Sequence, residues 1–171
     1  MVRCFIAIYP VENETVYKIQ KELRNFVEGK EVERENIHIT LSFLGELNEE
    51  KIREIKNKLK DLAKNYQKRE ALLTKIKLIP SESFFRVIAI EIVGLEDLSK
   101  EIEEKIGGDV KPPHLTLIRV KRVKDKKGLI EFCRKNSINE KILVNNIKLM
   151  KSTLTKNGPI YEVIESFPFQ S

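Results

Sequence analysis

Apolar and polar positions along the chain change period several times, and each change marks an element. Residues 2–9 form a nearly continuous run of β-branched, aromatic and aliphatic side chains, which predicts a strand. After Asn13, a natural helix cap, Val16, Ile19, Leu23, Phe26 and Val27 recur at helical spacing, and Gly29 is the predicted stop. Over 36–44 the period drops to two. Ile37, Ile39, Leu41 and Phe43 alternate with His38, Thr40 and Ser42, so one face is apolar and the other polar. Gly45 is the predicted end of this strand. Asn48 opens a second helix with Ile52, Ile55, Leu59 and Leu62 as its buried stripe, and a strand near 72–79 stops at Pro80.

The order then recurs. Phe84–Ile92 reads as a strand, and Leu95, Leu98, Ile102 and Ile106 mark a helix ended by Gly107-Gly108. A second histidine-bearing strand follows at 114–120, then a helix near 125–136. A hairpin closes the chain, Leu143–Leu154 and Ile160–Phe167 about the turn Lys156-Asn157-Gly158-Pro159. Strand, helix, histidine strand thus occurs twice, the histidines being 76 residues apart (114 − 38). This predicts a duplicated α+β unit within one domain, 1–171, with lobes of approximately 1–80 and 81–171 and room for strand exchange between them.

The chain has only two histidines, and each opens the same phrase: His38-Ile39-Thr40-Leu41 and His114-Leu115-Thr116-Leu117. Strand geometry points His and Thr of one phrase the same way, about 7 Å apart. Two related halves then bring two imidazoles and two hydroxyls to one pseudo-symmetric pocket. Imidazole exchanges protons near neutral pH, and a hydroxyl can hold an anionic oxygen without carrying charge. One imidazolium delivering a proton while a neutral partner takes one from water suits in-line attack on a strained phosphodiester. No third ligand accompanies the two histidines in a tight cluster, so no metal is expected.

Composition narrows the setting. The 41% hydrophobic content predicts a globular core, and no apolar run approaches the length of a membrane helix. The apolar start is interrupted by Pro10 too soon for a signal peptide, so a soluble, cytoplasmic protein is expected. Cys4 and Cys133 fit no metal or redox spacing, in keeping with a reducing compartment. Charged residues make up 34% of the chain with a net charge of +6, a balance that suits a polyanionic partner. Lys111, Arg119, Lys121, Arg122, Lys124, Lys126 and Lys127 crowd around the second phrase as a candidate RNA surface, or simply a solvated charged face. Phe5, Phe84, Phe85 and Tyr161 are candidate stacking residues that core packing explains equally well; Ser42 reads as an ordinary polar strand residue.

The paired HxTx phrases resemble those of the two-histidine (2H) phosphoesterase superfamily. The opening Arg3-Cys4-Phe5-Ile6-Ala7-Ile8, the stretch Asn36–Gly45, Pro113–Arg119 and the closing Gly158–Val163 are similar to its 2′–5′ RNA ligase branch, also described as RNA 2′,3′-cyclic phosphodiesterases. The resemblance implies a bilobed α+β fold, each lobe an antiparallel sheet with outer helices, and the active site in the central cleft. It implies hydrolysis of RNA 2′,3′-cyclic phosphate ends, tRNA fragments among them, to 2′-phosphomonoesters, with reversible 2′–5′ joining of tRNA halves. By that likeness His38 is the proton donor, His114 the proton acceptor, Thr40 and Thr116 hold the phosphate, and Arg119 contacts substrate; Phe5, as a stacking ring, is a further candidate substrate contact. No cofactor and a monomeric state are expected. Two alternatives stand beside this: a cyclic phosphodiesterase acting on small nucleotides or ADP-ribose 1″,2″-cyclic phosphate, and a non-catalytic RNA-end-binding protein. Arg119 has the wrong parity to face the pocket from a regular strand, so a bulge or strand end at Ile118 is required.

Overall fold

The computed structural model describes residues 1–171. In chain order the elements are β1 (Val2–Ile8), α1 (Glu14–Glu22), β2 (Val27–Glu31), β3 (Ile39–Leu47), α2 (Glu49–Ala63), β4 (Arg69–Pro80) and β5 (Phe85–Val93). These are followed by α3 (Glu96–Lys105), β6 (His114–Val123), α4 (Lys126–Lys135), β7 (Glu140–Val144), β8 (Asn146–Thr155) and β9 (Gly158–Pro168). Asn13 and Asn48 cap α1 and α2 as expected, each side-chain oxygen accepting a backbone N–H of the first turn, and Asp125 does the same for α4. No helix is long and apolar enough to cross a membrane.

The fold is α+β and bilobed. The strands run β7-β4-β5-β6-β3-β1-β8-β9, with β2 added to β6, and every named strand pair is antiparallel. The middle of this curled sheet is thin: β3 and β6 meet through one residue pair, Ile39 opposite Leu115. On either side the halves repeat each other. Ala7 lies opposite Thr40 as Ala89 lies opposite Thr116, and Ile6 opposite Ser42 as Ile88 opposite Ile118.

The halves also trade elements across residue 80. The strand that follows α2, β4, pairs with β5; the strand after α4, β8, pairs with β1. Likewise α1 packs against β6 and α3 against β3, while α2 covers β8 and β9 and α4 covers β4. The exchange is reciprocal, so one hydrophobic cluster of 37 buried residues runs through both lobes.

Three boundaries differ from the sequence expectation. The helix expected to reach Gly29 ends at Glu22, and Val27–Glu31 pairs with β6 instead. Tertiary pairing overrides the local period here, because Val27 is buried against the sheet. Gly45 does not end β3. With φ at +76° it forms a bulge that leaves Leu44 between the pairs Cys4–Gly45 and Phe5–Phe43, and the strand continues to Leu47. Finally, the first arm of the expected hairpin, Leu143–Leu154, is two strands. It breaks at Asn145, and β7 and β8 lie in opposite halves of the sheet.

Gly29 is required by the β2–β6 pairing. A Cβ there would lie 2.1 Å from the Arg119 carbonyl oxygen and 3.0 Å from Val120 Cα, backbone atoms that cannot step aside. Gly29→Ala is therefore expected to cost about 1–3 kcal/mol of stability by overpacking, read from urea unfolding. An unchanged midpoint would contradict the close approach.

Candidate active site

Ile39 and Leu115, the pair that joins the half-sheets, are both fully buried in the core. Their neighbours must then point to the opposite face. His38 immediately precedes β3 and His114 opens β6, so the join places His38, Thr40, His114 and Thr116 around a single cavity of about 750 Å³.

Both imidazoles are held by the same backbone device. His38 Nδ1 lies 2.7 Å from the Asn36 carbonyl and His114 Nδ1 lies 2.9 Å from the Pro112 carbonyl. A carbonyl can only accept, so each Nδ1 carries a proton and each Nε2 is left for chemistry. The two then differ. His38 Nε2 lies 2.8 Å from Thr40 Oγ1, and its ring packs against Phe5 and Tyr161, with centroids 5.3 and 5.1 Å away. Burial pushes the His38 pKa below its ordinary value; the Asn36 carbonyl opposes the shift and the charge of His114 adds to it.

Each phrase ends in a bulge at its leucine. Leu41 is the extra residue between the pairs Ala7–Thr40 and Ile6–Ser42, and Leu117 is the extra residue between Ala89–Thr116 and Ile88–Ile118. Consecutive residues Leu117 and Ile118 both face the core, and parity flips. Arg119 consequently joins the cavity wall, the bulge falling one residue before the expected Ile118. It has no carboxylate partner. Its charge acts on Tyr161, opposing the upward push that burial gives the phenol.

The bulge rests on a residue that sequence reasoning missed. Gln20, a buried polar side chain of α1, donates from Nε2 to the Leu117 carbonyl (2.9 Å) and the Val32 carbonyl (2.7 Å). The Leu117 carbonyl also accepts from the Val32 N–H. A glutamine on the apolar stripe of a helix was the available signal. Ser42 is more than a polar strand residue. Flipped inward by the first bulge, it donates to the Gly107 carbonyl, while Phe43 exchanges backbone hydrogen bonds with Asp109. These contacts clamp the loop that leads into His114.

The other expected residues divide: Phe5 and Tyr161 belong to the cavity wall and the rest do not. Phe5 is buried beneath His38, with Tyr161 against it edge-on, so it supports the imidazole and offers little face to a base. Tyr161 does line the cavity. Lys121, Arg122, Lys124, Lys126 and Lys127 do not; Arg122 pairs with Glu28 and Lys126 donates to the Ser83 carbonyl. Phe84 is exposed outside the cavity, and Phe85 packs in the core.

With this geometry in place, the comparisons are direct. The LigT like phosphoesterase family profile matches residues 8–88 and 92–161. The chain belongs to that family. This phosphoesterase is 41% identical to the RNA 2′,3′-cyclic phosphodiesterase of Methanocaldococcus jannaschii, across 97% of this chain and 100% of that one. It is 33% identical to the protein of the same name from Aquifex aeolicus, over 98% and 97% of the two chains. Among solved structures, TT0787 of Thermus thermophilus superposes with a TM-score of 0.81 at 25% identity, covering 99% of this chain and 98% of that one. Apo E. coli LigT gives 0.75 at 19% over the same shares and shares the fold.

In this phosphoesterase Gln20→Leu should cost about 1–3 kcal/mol, because the buried Leu117 carbonyl of the bulge and the part-buried Val32 carbonyl both lose their side-chain donor. The effect is read from chemical unfolding, and no loss would show that the bulge does not depend on Gln20. Burial of neutral His38 also makes a signed pH prediction. Below 6.5, its ordinary pKa, the unfolded chain takes up a proton that the folded site refuses down to its lower folded value. His38 therefore subtracts stability as pH falls through that window. His38→Phe should lose less stability than wild type there, as thermal melts across pH 5–7 would register; parallel slopes would refute it.

Proposed function

We propose that the cleft hydrolyses the 2′,3′-cyclic phosphate at the end of an RNA to a 2′-phosphomonoester. The observation that carries this reading is the pair of imidazoles with backbone-fixed Nδ1 atoms, each beside a threonine and both facing one cavity. The relatives from M. jannaschii and A. aeolicus bear the name of that activity.

His114 is the proton acceptor. Its Nε2 takes a proton from a water whose oxygen attacks phosphorus, the new P–O bond forming as the P–O3′ bond breaks. His38 is the proton donor, giving its Nε2 proton to the departing O3′. Thr40 and Thr116 hold the non-bridging oxygens, and Arg119 supplies the positive charge that complements them. The His38–Thr40 hydrogen bond couples two of these roles. With His38 neutral, the Thr40 hydroxyl donates to Nε2. With His38 protonated, Nε2–H donates to Thr40 Oγ1, and the hydroxyl hydrogen is released to the phosphate. Burial favours the neutral form of His38 in the empty site, and the charge of the bound phosphodiester restores the protonated form. With the 5′-hydroxyl of a second RNA in place of water, the same roles join two ends through a 2′–5′ phosphodiester. Reversible 2′–5′ joining of tRNA halves belongs to this proposal, as do a monomeric state and a cytoplasmic setting, for which the two free cysteines are suited.

Oligoribonucleotides ending in a 2′,3′-cyclic phosphate, offered in the presence of EDTA, test the reading. Wild type should convert them to 2′-phosphate ends, and His38→Ala and His114→Ala should each lower kcat by about 10²–10⁴-fold. Turnover that survives both substitutions sinks the mechanism. Binding without turnover in wild type indicates an RNA-end-binding protein, and turnover confined to mononucleotides a small-nucleotide enzyme. The pH profile of kcat/KM should be bell-shaped, with its acidic limb below 6.5 because His38 holds its proton less firmly than usual. An acidic limb above that value would assign the proton chemistry elsewhere.

A further inference from the structure

We propose that Arg3 forms a second phosphate subsite, one that binds the phosphodiester on the 5′ side of the terminal nucleotide. This rests on the cyclic-phosphate reading above and adds what the enzyme would grip beyond the reacting group.

The cavity is not confined to the two phrases. It continues along the concave face of β1, β3 and β8 as far as Arg3, Gly45 and Ser152. Strand alternation places Arg3, Phe5 and Ala7 on that face, Phe5 being the residue that supports His38 and Ala7 the residue opposite Thr40. Arg3 is thus on the same floor as the reacting centre, about 13 Å along the strand from Ala7. An arginine side chain is long enough to cover about half of that distance, and the remainder matches the spacing of one nucleotide.

Two features mark Arg3 as a ligand-binding cation. It is exposed, yet makes no ion pair and no side-chain hydrogen bond, although Glu46 is its cross-strand neighbour. The other cations on this cavity's wall are Lys30, which has Glu33 at 3.7 Å, and Arg119, which comes from the other lobe beside the phosphate-binding threonines. The walls between the histidines and Arg3 are also suited to a nucleoside. Phe43, opposite Phe5 and half exposed on the cavity wall, lies in that interval, so a base or ribose meets apolar surface there. Phe43 is the two-fold counterpart of Arg119: one bulge turns an aromatic ring into the cleft where the other turns a guanidinium. A cyclic phosphate, an apolar stretch and a cation follow the order of groups at an RNA end. A guanidinium engages a phosphodiester by charge-assisted hydrogen bonds and carries no base preference.

The test compares an oligoribonucleotide bearing a 2′,3′-cyclic phosphate with a nucleoside 2′,3′-cyclic phosphate that has no 5′-phosphate. Arg3→Gln should lower kcat/KM on the oligomer by about tenfold or more and leave the mononucleotide within about twofold, with Arg3→Lys recovering part of the loss. Oligomer affinity, measured by fluorescence anisotropy against salt, should lose about 0.7 from its log–log slope, the share of one phosphate contact on a single strand. Equal losses on both substrates, or an oligomer rate and slope that do not change, would overturn the subsite. Should wild type turn over neither substrate, the phosphodiesterase reading fails by itself, and the anisotropy slope alone decides for or against Arg3.

Discussion

The backbone pairing of Ile39 with Leu115 is the constraint on which the site depends. It is the only ladder contact between the two half-sheets, and both side chains are sealed in the core. Core burial of these two residues dictates the orientation of the four polar ones around them, because side chains alternate across a strand. The exchanged strands and helices secure that thin seam. With β4 and β8 each belonging to the half that did not supply the preceding helix, neither half can leave without breaking the other's sheet.

A near-symmetric scaffold thereby holds an asymmetric pair. The two imidazoles share the tethering of Nδ1 to a carbonyl two residues earlier. They differ in what lies beneath. Phe5 packs under His38, whereas the position equivalent to Phe5 in the other half is Val87, opposite Arg119. Tyr161, delivered by β9, closes over the first imidazole. Apolar surroundings penalise the charged form, so side-chain packing lowers the proton affinity of His38.

The bulges at Leu41 and Leu117 show how small irregularities aim side chains. Each shifts parity by one, turning Phe43 and Arg119 into the cleft while Ser42 and Ile118 turn inward. An unpaired carbonyl in such a bulge would be costly in the core, and Gln20 and the Val32 N–H meet that cost at Leu117. The surface ion pairs, by contrast, join exposed side chains and contribute little individually.

The repeat, the α+β class and the candidate site were legible in the letters because they rest on local period and on duplication. His-x-Thr spacing places two groups on one face of a strand wherever that strand goes, and Asn13 and Asn48 cap helices from within their own turns. What the chain does at Gly29, Gly45 and Asn145 was not legible, since each outcome is decided by a distant partner: the Arg119 backbone, the register with β1, and the competing pull of β4 and β1 on either side of Asn145. The same holds for the aim of Arg119, the work of Gln20 and the placing of Phe5 beneath an imidazole. Sequence by itself determined which chemical groups were present and that the His and Thr of each phrase share one face of a strand. Tertiary structure alone decided which of them meet, because a bulge, a burial or a shared carbonyl exists only once two remote segments have been brought together.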